Sequence, residues 1–179
     1  MTTQNWTLDP AHSSASFSIR HMMIAKVHGG FTKLSGNLQF NQDDLSKSSI
    51  NALIDTSSID TRESKRDEHL KSADFFDVAK FPAIAFKSSR VLRTGSGQFQ
   101  IVGNLDMHGV SKEVTLDVEG LDAEVKDPWG NIKLGASAST KIKRKDFGLT
   151  WNAGLEAGGV LVGDDVTITL DIQFSKDKT

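Results

Sequence analysis

Histidine can act as a general acid or base and as a metal ligand. Because the chain contains no cysteine, its histidines are the side chains with the widest range of chemistry. The absence of cysteine excludes a thiolate metal site, a disulfide framework and a cysteine nucleophile. His12, His21 and His28 follow one another at intervals that match no common zinc motif, and neither HxH nor HExxH occurs. The sequence therefore predicts neither a metal site nor a cofactor.

His21 is distinctive because it ends an apolar face. In ASFSIRH, the residues Ala15, Phe17, Ile19 and His21 alternate with serine and arginine, which is the pattern of a strand with one buried side. His21 is therefore predicted to line the protein interior near its polar end, close to a ligand head group or a bound water. The alternative is a neutral histidine whose ring is hydrogen-bonded to a carbonyl where the chain turns.

One segment, DTRESKRDEHLKSADFF, has the composition of a helix rather than a strand. Asp60 stands three residues before a glutamate, as in a capping box, and we expect one short helix over residues 62–72. Arg66 and His69 fall on one face of that helix, where a guanidinium could bind a phosphate or a carboxylate. The alternative is that Arg66 and Asp67 contact neighbouring loops and hold the helix on the rest of the fold.

Other polar segments favour structural interpretations. Lys141, Lys143, Arg144 and Lys145 form a basic stretch that is typical of a solvated strand end. His108 lies between two alternating runs in LDMHGVS, which indicates a tight hairpin. The glycine-rich NAGLEAGGVLVGDD lacks the lysine and the spacing of a phosphate-binding loop, and it is predicted to lead into the last strand. No GxSxG motif of a serine hydrolase occurs.

Strict alternation recurs along most of the chain and predicts the elements that position these residues. The runs lie at residues 14–21, 27–40, 50–56, 84–91, 98–105, 113–120, 134–142 and 166–174. One apolar and one polar face in each run is typical of an antiparallel sheet. These runs and the one helix predict an all-β protein closed into an eight-stranded antiparallel barrel, with a sandwich as the alternative. Between Phe31 and Leu34 the alternation of apolar and polar residues shifts by one position, which predicts a bulge or bend there.

The predicted inward faces contain many small residues. They are Ala15, Gly36, Ala52, Gly103, Gly120, Ala136 and Ala138. Eight strands leave an interior that side chains just fill or that holds one ligand, so small inward residues favour a cavity. The alternative is that phenylalanines reach across the barrel and close the core.

Composition narrows the class of protein and partner. A chain of 179 residues with 37% apolar and 25% charged residues suits a single domain over residues 1–179. A net charge of −2 gives no indication of a nucleic-acid partner, and no run approaches the ~20 apolar residues of a membrane span. The first residues, MTTQNWTLD, lack the basic and apolar regions of a signal peptide, which favours a cytoplasmic location. A periplasmic or secreted protein whose signal peptide has been removed is the alternative.

Five blocks of the sequence, in order, resemble the YceI family of lipid- or polyisoprenoid-binding proteins. They are W-x-L-D-P-A-H-S-x-x-x-F-x-I-R-H-M from Trp6, SIDTRESKRDEHLKSADFFDVAKFPAIAFKS, GNLDMHGVSKEVTLDV, KRKDFGLTW and LEAGGVLVGDDVTITLDIQF. No single block is diagnostic, but five in the family's order across nearly the whole chain are specific.

The resemblance implies a lipocalin-like barrel that carries or sequesters a long apolar chain, such as a polyisoprenoid or a fatty-acid derivative. It implies no enzymatic activity, and it makes a homodimer plausible. Taken with the inward faces, it gives the ligand-binding candidates Phe17, Ile19, His21, Phe31, Leu38, Ile54, Phe86, Phe99, Ile101, Leu116, Ala136, Ala138 and Ile168. The candidates for head-group contacts are Arg66, Asp67 and His69. An enzyme that acts on such a lipid and a ligand-free structural module are the alternatives.

Overall fold

The computed structural model describes residues 2–179, and strands make up most of that part of the chain. The strands are β1 (Gln4–Leu8), β2 (Ser14–His21), β3 (Ala25–Phe31), β4 (Leu34–Phe40), β5 (Ser49–Asp55), β6 (Ile59–Asp60), β7 (Ala83–Gly95), β8 (Gln98–Met107), β9 (Val110–Lys126), β10 (Ile132–Lys143) and β11 (Val162–Lys176), and the helix α1 is Ser64–Lys71. The predicted all-β fold with one short helix is confirmed.

The strands close into an antiparallel barrel. It has eight barrel strands, because three of them are each made of two shorter strands. β1 and β2 lie end to end along β11. On their other side, β4 pairs with β1 and β3 pairs with β2. β5 then pairs with β4, and β6 pairs with β3. The sheet continues from β5 through β7, β8, β9 and β10 to β11, which returns to β1. The barrel prediction is therefore confirmed.

The slip in parity between Phe31 and Leu34 corresponds to the break between β3 and β4. The chain bends at Thr32, and both Phe31 and Leu34 face the interior on either side of the bend. The bend therefore restores the facing of the strand, as the sequence pattern predicted.

The break between β1 and β2 is organised by Asp9. Its carboxylate accepts hydrogen bonds from the Ala11 backbone N–H at 3.1 Å and the Gln173 side-chain amide at 3.3 Å. It also lies 2.9 Å from Nδ1 of His12 and 3.7 Å from the ammonium of Lys133. His12 therefore holds a turn, and its side chain is largely exposed, at 66%.

Asp9→Asn is expected to destabilise the fold near neutral pH and to lose most of this effect in acid. The bond to His12 is the largest contribution that lowers the pKa of the Asp9 carboxyl from its usual 3.8, and burial opposes it. A lowered folded-state pKa stabilises the protein above the unfolded-state pKa, and the stabilisation is lost as the pH falls through the folded-state pKa. Urea unfolding of both proteins at about pH 7 and about pH 2 tests this. A difference of the same size at both pH values would contradict the prediction.

Helix α1 begins at Ser64, two residues later than predicted, and ends at Lys71. Arg62 adopts a left-handed backbone with φ of 64°, which prevents the helix from beginning there. The N-cap is Glu63, whose side chain accepts from the Arg66 N–H, whereas Asp60 accepts from the Arg62 N–H at 2.9 Å. The predicted cap was therefore wrong.

Side chains fill one end of the barrel, which we call the packed end. Its buried core includes Trp6, Leu38, Phe40, Phe99, Leu134 and Phe174. The rings of Phe40 and Phe99 meet edge to face at 6.1 Å, and the Arg93 guanidinium lies 4.8 Å from the Phe99 ring centre. A second, smaller buried cluster is formed by Ile84, Met107, Ile142, Phe147 and Leu149. Members of both clusters line an interior space that side chains do not fill.

Candidate functional site

The barrel encloses a cavity of about 510 Å³. The volume lies within the range of about 300–1,000 Å³ that is usual for small-molecule sites. Strand β11 contributes Val166, Ile168, Leu170, Ile172 and Phe174 to the wall, in strict alternation. At about 3.3 Å per residue and a strand tilt of about 40°, this wall runs roughly 20 Å along the barrel axis. The cavity is therefore elongated.

Eight of the thirteen predicted ligand-binding residues line this cavity. They are Phe17, Ile19, His21, Phe31, Ile54, Phe86, Leu116 and Ile168. They come from six strands, and apart from His21 all are apolar. The faces predicted from alternation thus converge on one space, although binding by these side chains stays a prediction.

The other five candidates lie outside the cavity, in and around the packed end. They are Leu38, Phe99, Ile101, Ala136 and Ala138, which are buried in or pack against the core cluster there. All five belong to the inward faces, as expected. Alternation fixes which face of the sheet a residue joins but carries no information on its depth along the barrel.

Two glycines pack directly against aromatic rings of the interior. A Cβ at Gly103 would lie 2.6 Å from the Phe86 ring, and one at Gly29 would lie 2.6 Å from the Phe17 ring. At these positions the phenylalanines reach across small residues, as in the alternative of a filled core. Elsewhere the lumen stays open, since small Ala15 and Ala52 line the cavity.

His21 lies at the end of β2, opposite Ala25 on β3 and Val162 on β11. It is half-buried and lines the cavity at its open end, which we call the mouth. Within residues 2–179 the imidazole has no hydrogen-bond partner, so the alternative of a ring bonded to a carbonyl is not seen. The ring nitrogens are therefore available to a ligand or water.

His21→Leu is expected to weaken ligand binding about threefold to tenfold, the equivalent of one hydrogen bond. Leucine has a similar volume and removes only the polar contact, so the free energy of unfolding should change by less than about 0.5 kcal/mol. The matched control is His28→Leu, because His28 is exposed on β3. Bound lipid, measured by mass spectrometry, and urea unfolding give the two readings. A variant that is destabilised but keeps its lipid would contradict the prediction.

Helix α1 forms part of the mouth through Arg66 and His69. The Arg66 guanidinium donates to the Thr61 hydroxyl at 2.7 Å and to the Thr61 carbonyl at 2.6 Å. Asp67 accepts from the N–H of Thr61 at 2.9 Å and does not line the cavity. Arg66 and Asp67 thus make the loop contacts of the structural alternative, and contact between a head group and Arg66, Asp67 or His69 stays a prediction.

An aromatic cluster stands beside the helix at the mouth. The ring of His69 meets Trp151 at 4.7 Å and Phe75 at 5.0 Å, both edge to face, and Phe75 lies 5.3 Å from Trp151. All three line the cavity, and Nε2 of His69 lies 2.8 Å from the Asp74 carboxylate. Phe75 and Trp151 were missed as site residues because they lie outside the alternating runs, although the family blocks include both.

Arg144 is the clearest departure from the sequence prediction. Its side chain is buried, at 3% exposure, rather than solvated with its lysine neighbours. The guanidinium donates to the carbonyls of Leu149 at 2.6 Å, Gly163 at 2.7 Å and Trp151 at 2.9 Å. Burial lowers its pKa, and the nearby Asp164 carboxylate acts in the opposite direction. Arg144 therefore ties the segment after β10 to the start of β11, at the mouth.

The position of His108 fits a structural role. His108 has a φ of 55° in the turn between β8 and β9, and its Nδ1 lies 3.0 Å from the Phe147 carbonyl oxygen.

Across residues 2–179 no three histidine, aspartate or glutamate side chains are grouped as metal ligands would be. Over the same range the structure has no helix of the length and apolarity that a membrane crossing requires.

Comparisons with known proteins agree with this architecture. A family model described as the YceI-like domain matches residues 6–174. A UPF0312 protein of Serratia proteamaculans is 41% identical over 143 residues, which cover 80% of this chain and 73% of that protein. BcnA of Burkholderia cenocepacia has the same fold, with a TM-score of 0.79 at 23% identity over 93% of this chain and 98% of its own. A polyisoprenoid binding domain from Saccharophagus degradans also has this fold, with a TM-score of 0.67 at 17% identity over 96% of this chain and 98% of its own. The chain therefore belongs to the YceI-like domain family.

Proposed function

We propose that this protein binds one long-chain apolar ligand, a polyisoprenoid or a fatty-acid derivative, inside its barrel and carries or sequesters it. The observation that supports this most directly is the cavity of about 510 Å³, whose wall is mostly aliphatic and aromatic. Transfer of an apolar chain into such a space is favourable, and an empty apolar space of this size is costly.

The distribution of polar side chains along the cavity supports a ligand with one polar end. Arg20, His21, Lys65, Arg66 and His69 all line the mouth, where the one carboxylate that also lines the cavity, Glu63, caps helix α1. Deeper in the barrel the wall is formed by residues such as Leu116, Leu170 and Phe174. We infer that the chain enters first and that the head group stays among the mouth residues, where cations and the free imidazole favour an anionic or hydrogen-bonding group.

One structural neighbour is described by the class of ligand that it binds. The Saccharophagus degradans neighbour is described as a polyisoprenoid binding domain, and its fold matches nearly the whole of this chain. We propose the same broad class of ligand here on the strength of the cavity, because the neighbour's identity of 17% shows the fold alone.

Native mass spectrometry of the purified protein, before and after delipidation, tests the proposal. We expect one apolar molecule per barrel before delipidation, identified in an organic extract, and renewed binding when farnesol or palmitic acid is added. A protein that carries nothing and takes up neither probe would overturn the proposal. If the protein releases a chemically altered probe after incubation, the result would instead favour the alternative that it is an enzyme acting on such a lipid.

A further inference from the structure

The turn between β2 and β3, formed by Met22, Met23 and Ile24, has a composition that its geometry does not require. We call it the mouth turn. The Ile24 N–H donates to the His21 carbonyl at 3.3 Å, and Met22 and Met23 adopt positive φ values of 52° and 63°. Hairpin turns with two left-handed residues favour asparagine and glycine. The methionines therefore need another explanation than the turn itself.

The mouth turn exposes its apolar side chains. Met22 is 42% exposed, Met23 is 60% exposed and Ile24 is 79% exposed. Val160, from the segment before β11, is 43% exposed, and a Cβ at neighbouring Gly159 would lie 2.2 Å from the sulfur of Met23. The two segments thus form one apolar surface that water solvates at a cost.

The mouth turn lies directly on the rim of the cavity. The Met22 N–H donates to the Leu161 carbonyl at 2.8 Å, which joins the two apolar segments. His21 immediately before the turn, Val27 after it and Leu161 across from it all line the cavity. Whatever covers the turn therefore also faces the opening of the cavity.

Two unpaired cations stand behind the mouth turn. Arg20 and Lys26 are exposed and face each other across β2 and β3. Within residues 2–179 neither forms an ion pair. The nearby carboxylate of Asp165 is paired with Lys143 at 3.1 Å, and Asp164 lies between Lys145 and Arg144.

We propose that the mouth turn inserts into the surface of an anionic phospholipid bilayer, with Arg20 and Lys26 against the lipid phosphates. A small apolar tip backed by cations is what peripheral membrane binding requires. Four exposed side chains are too few for a stable protein interface, which buries about 1,200 Å² or more. This docking goes beyond the proposed function and would place the cavity mouth at the acyl chains, from which a lipid could enter.

Flotation with vesicles of about one third phosphatidylglycerol in phosphatidylcholine tests the docking. The variant is Met22→Asn with Met23→Gly, which suits the positive φ values and should unfold no more easily than the wild type. We expect the wild type to float with the vesicles, less so at high salt, and the variant to bind at least about tenfold more weakly.

The control is Trp129→Ser. Trp129 is 83% exposed in the turn between β9 and β10, at the packed end, and its loss should leave flotation unchanged. Absence of wild-type flotation, equal flotation of wild type and double variant, or an equal loss in Trp129→Ser would each overturn the docking. Lipid content, measured on the same samples, reports separately on the proposed function, because vesicle binding does not depend on what fills the cavity.

Discussion

Arg144→Met is expected to lower the free energy of unfolding by about 3–5 kcal/mol. Methionine fills much of the arginine's volume, but it donates nothing to the carbonyls of Leu149, Trp151 and Gly163 that the guanidinium now bonds. The loss of a donor costs about 1–3 kcal/mol at a buried carbonyl such as that of Leu149, and less at the partly buried carbonyls of Trp151 and Gly163. Urea unfolding monitored by tryptophan fluorescence measures the loss, and Trp151 lies in the segment that is released.

The matched control for that change is Lys143→Met. Lys143 pairs with Asp165 at 3.1 Å, but its side chain is 65% exposed, so water replaces the lost contact. Exposed ion pairs contribute little to stability, and the control should leave the free energy of unfolding nearly unchanged. Equal effects of the two substitutions would show that Arg144 does not hold the mouth together as the hydrogen bonds indicate.

Ala52→Phe is expected to lower bound lipid at least about tenfold while leaving the fold nearly as stable as the wild type. Ala52 lines the cavity on β5, between Gly36 on β4 and Phe86 on β7. The new ring occupies space that the ligand chain needs, without displacing packed side chains. Mass spectrometry of an organic extract and urea unfolding of the same preparation give the two readings.

Ala138→Phe serves as the matched control, since it makes the same change on an inward face outside the cavity. Ala138 packs against the core of the packed end, opposite Leu170 and Val118. A phenylalanine there must displace its neighbours, which costs about 1–3 kcal/mol, while the cavity is left largely open. The two variants should therefore separate loss of ligand from loss of stability. If Ala52→Phe instead unfolds more easily and keeps its lipid, the cavity is not the binding site.

The barrel and the facing of its strands could be predicted from sequence because alternation is a local property. Phe17, Ile19 and His21 share a face whatever the rest of the chain does. Depth along the barrel is different, since it depends on the tilt and stagger of all eight strands together. That is why Leu38, Phe99 and the two alanines of β10 share the predicted faces but do not line the cavity.

The mouth was harder to predict because irregular segments build it. Trp151 and Arg144 come from a stretch with no period, and the start of α1 depends on the left-handed backbone of Arg62. No pattern of residue types distinguishes a buried arginine that bonds carbonyls from a solvated one; only the surrounding backbone does. The homodimer and the cytoplasmic location involve a second chain and the cell, and both stay predictions.

The way in which the barrel closes also has a consequence for how the chain folds. β1 pairs with β11, so that Trp6 stands opposite Lys176 at the seam of the barrel. Contacts between such distant parts of a sequence form slowly, because a long loop must be ordered before they contribute stability. On the ribosome, the hairpins from β7 to β10 can pair while β1 and β2 still have an unpaired edge, until β11 emerges. The lumen is therefore the last part of the molecule to form, and a ligand can be enclosed only once synthesis has passed β11.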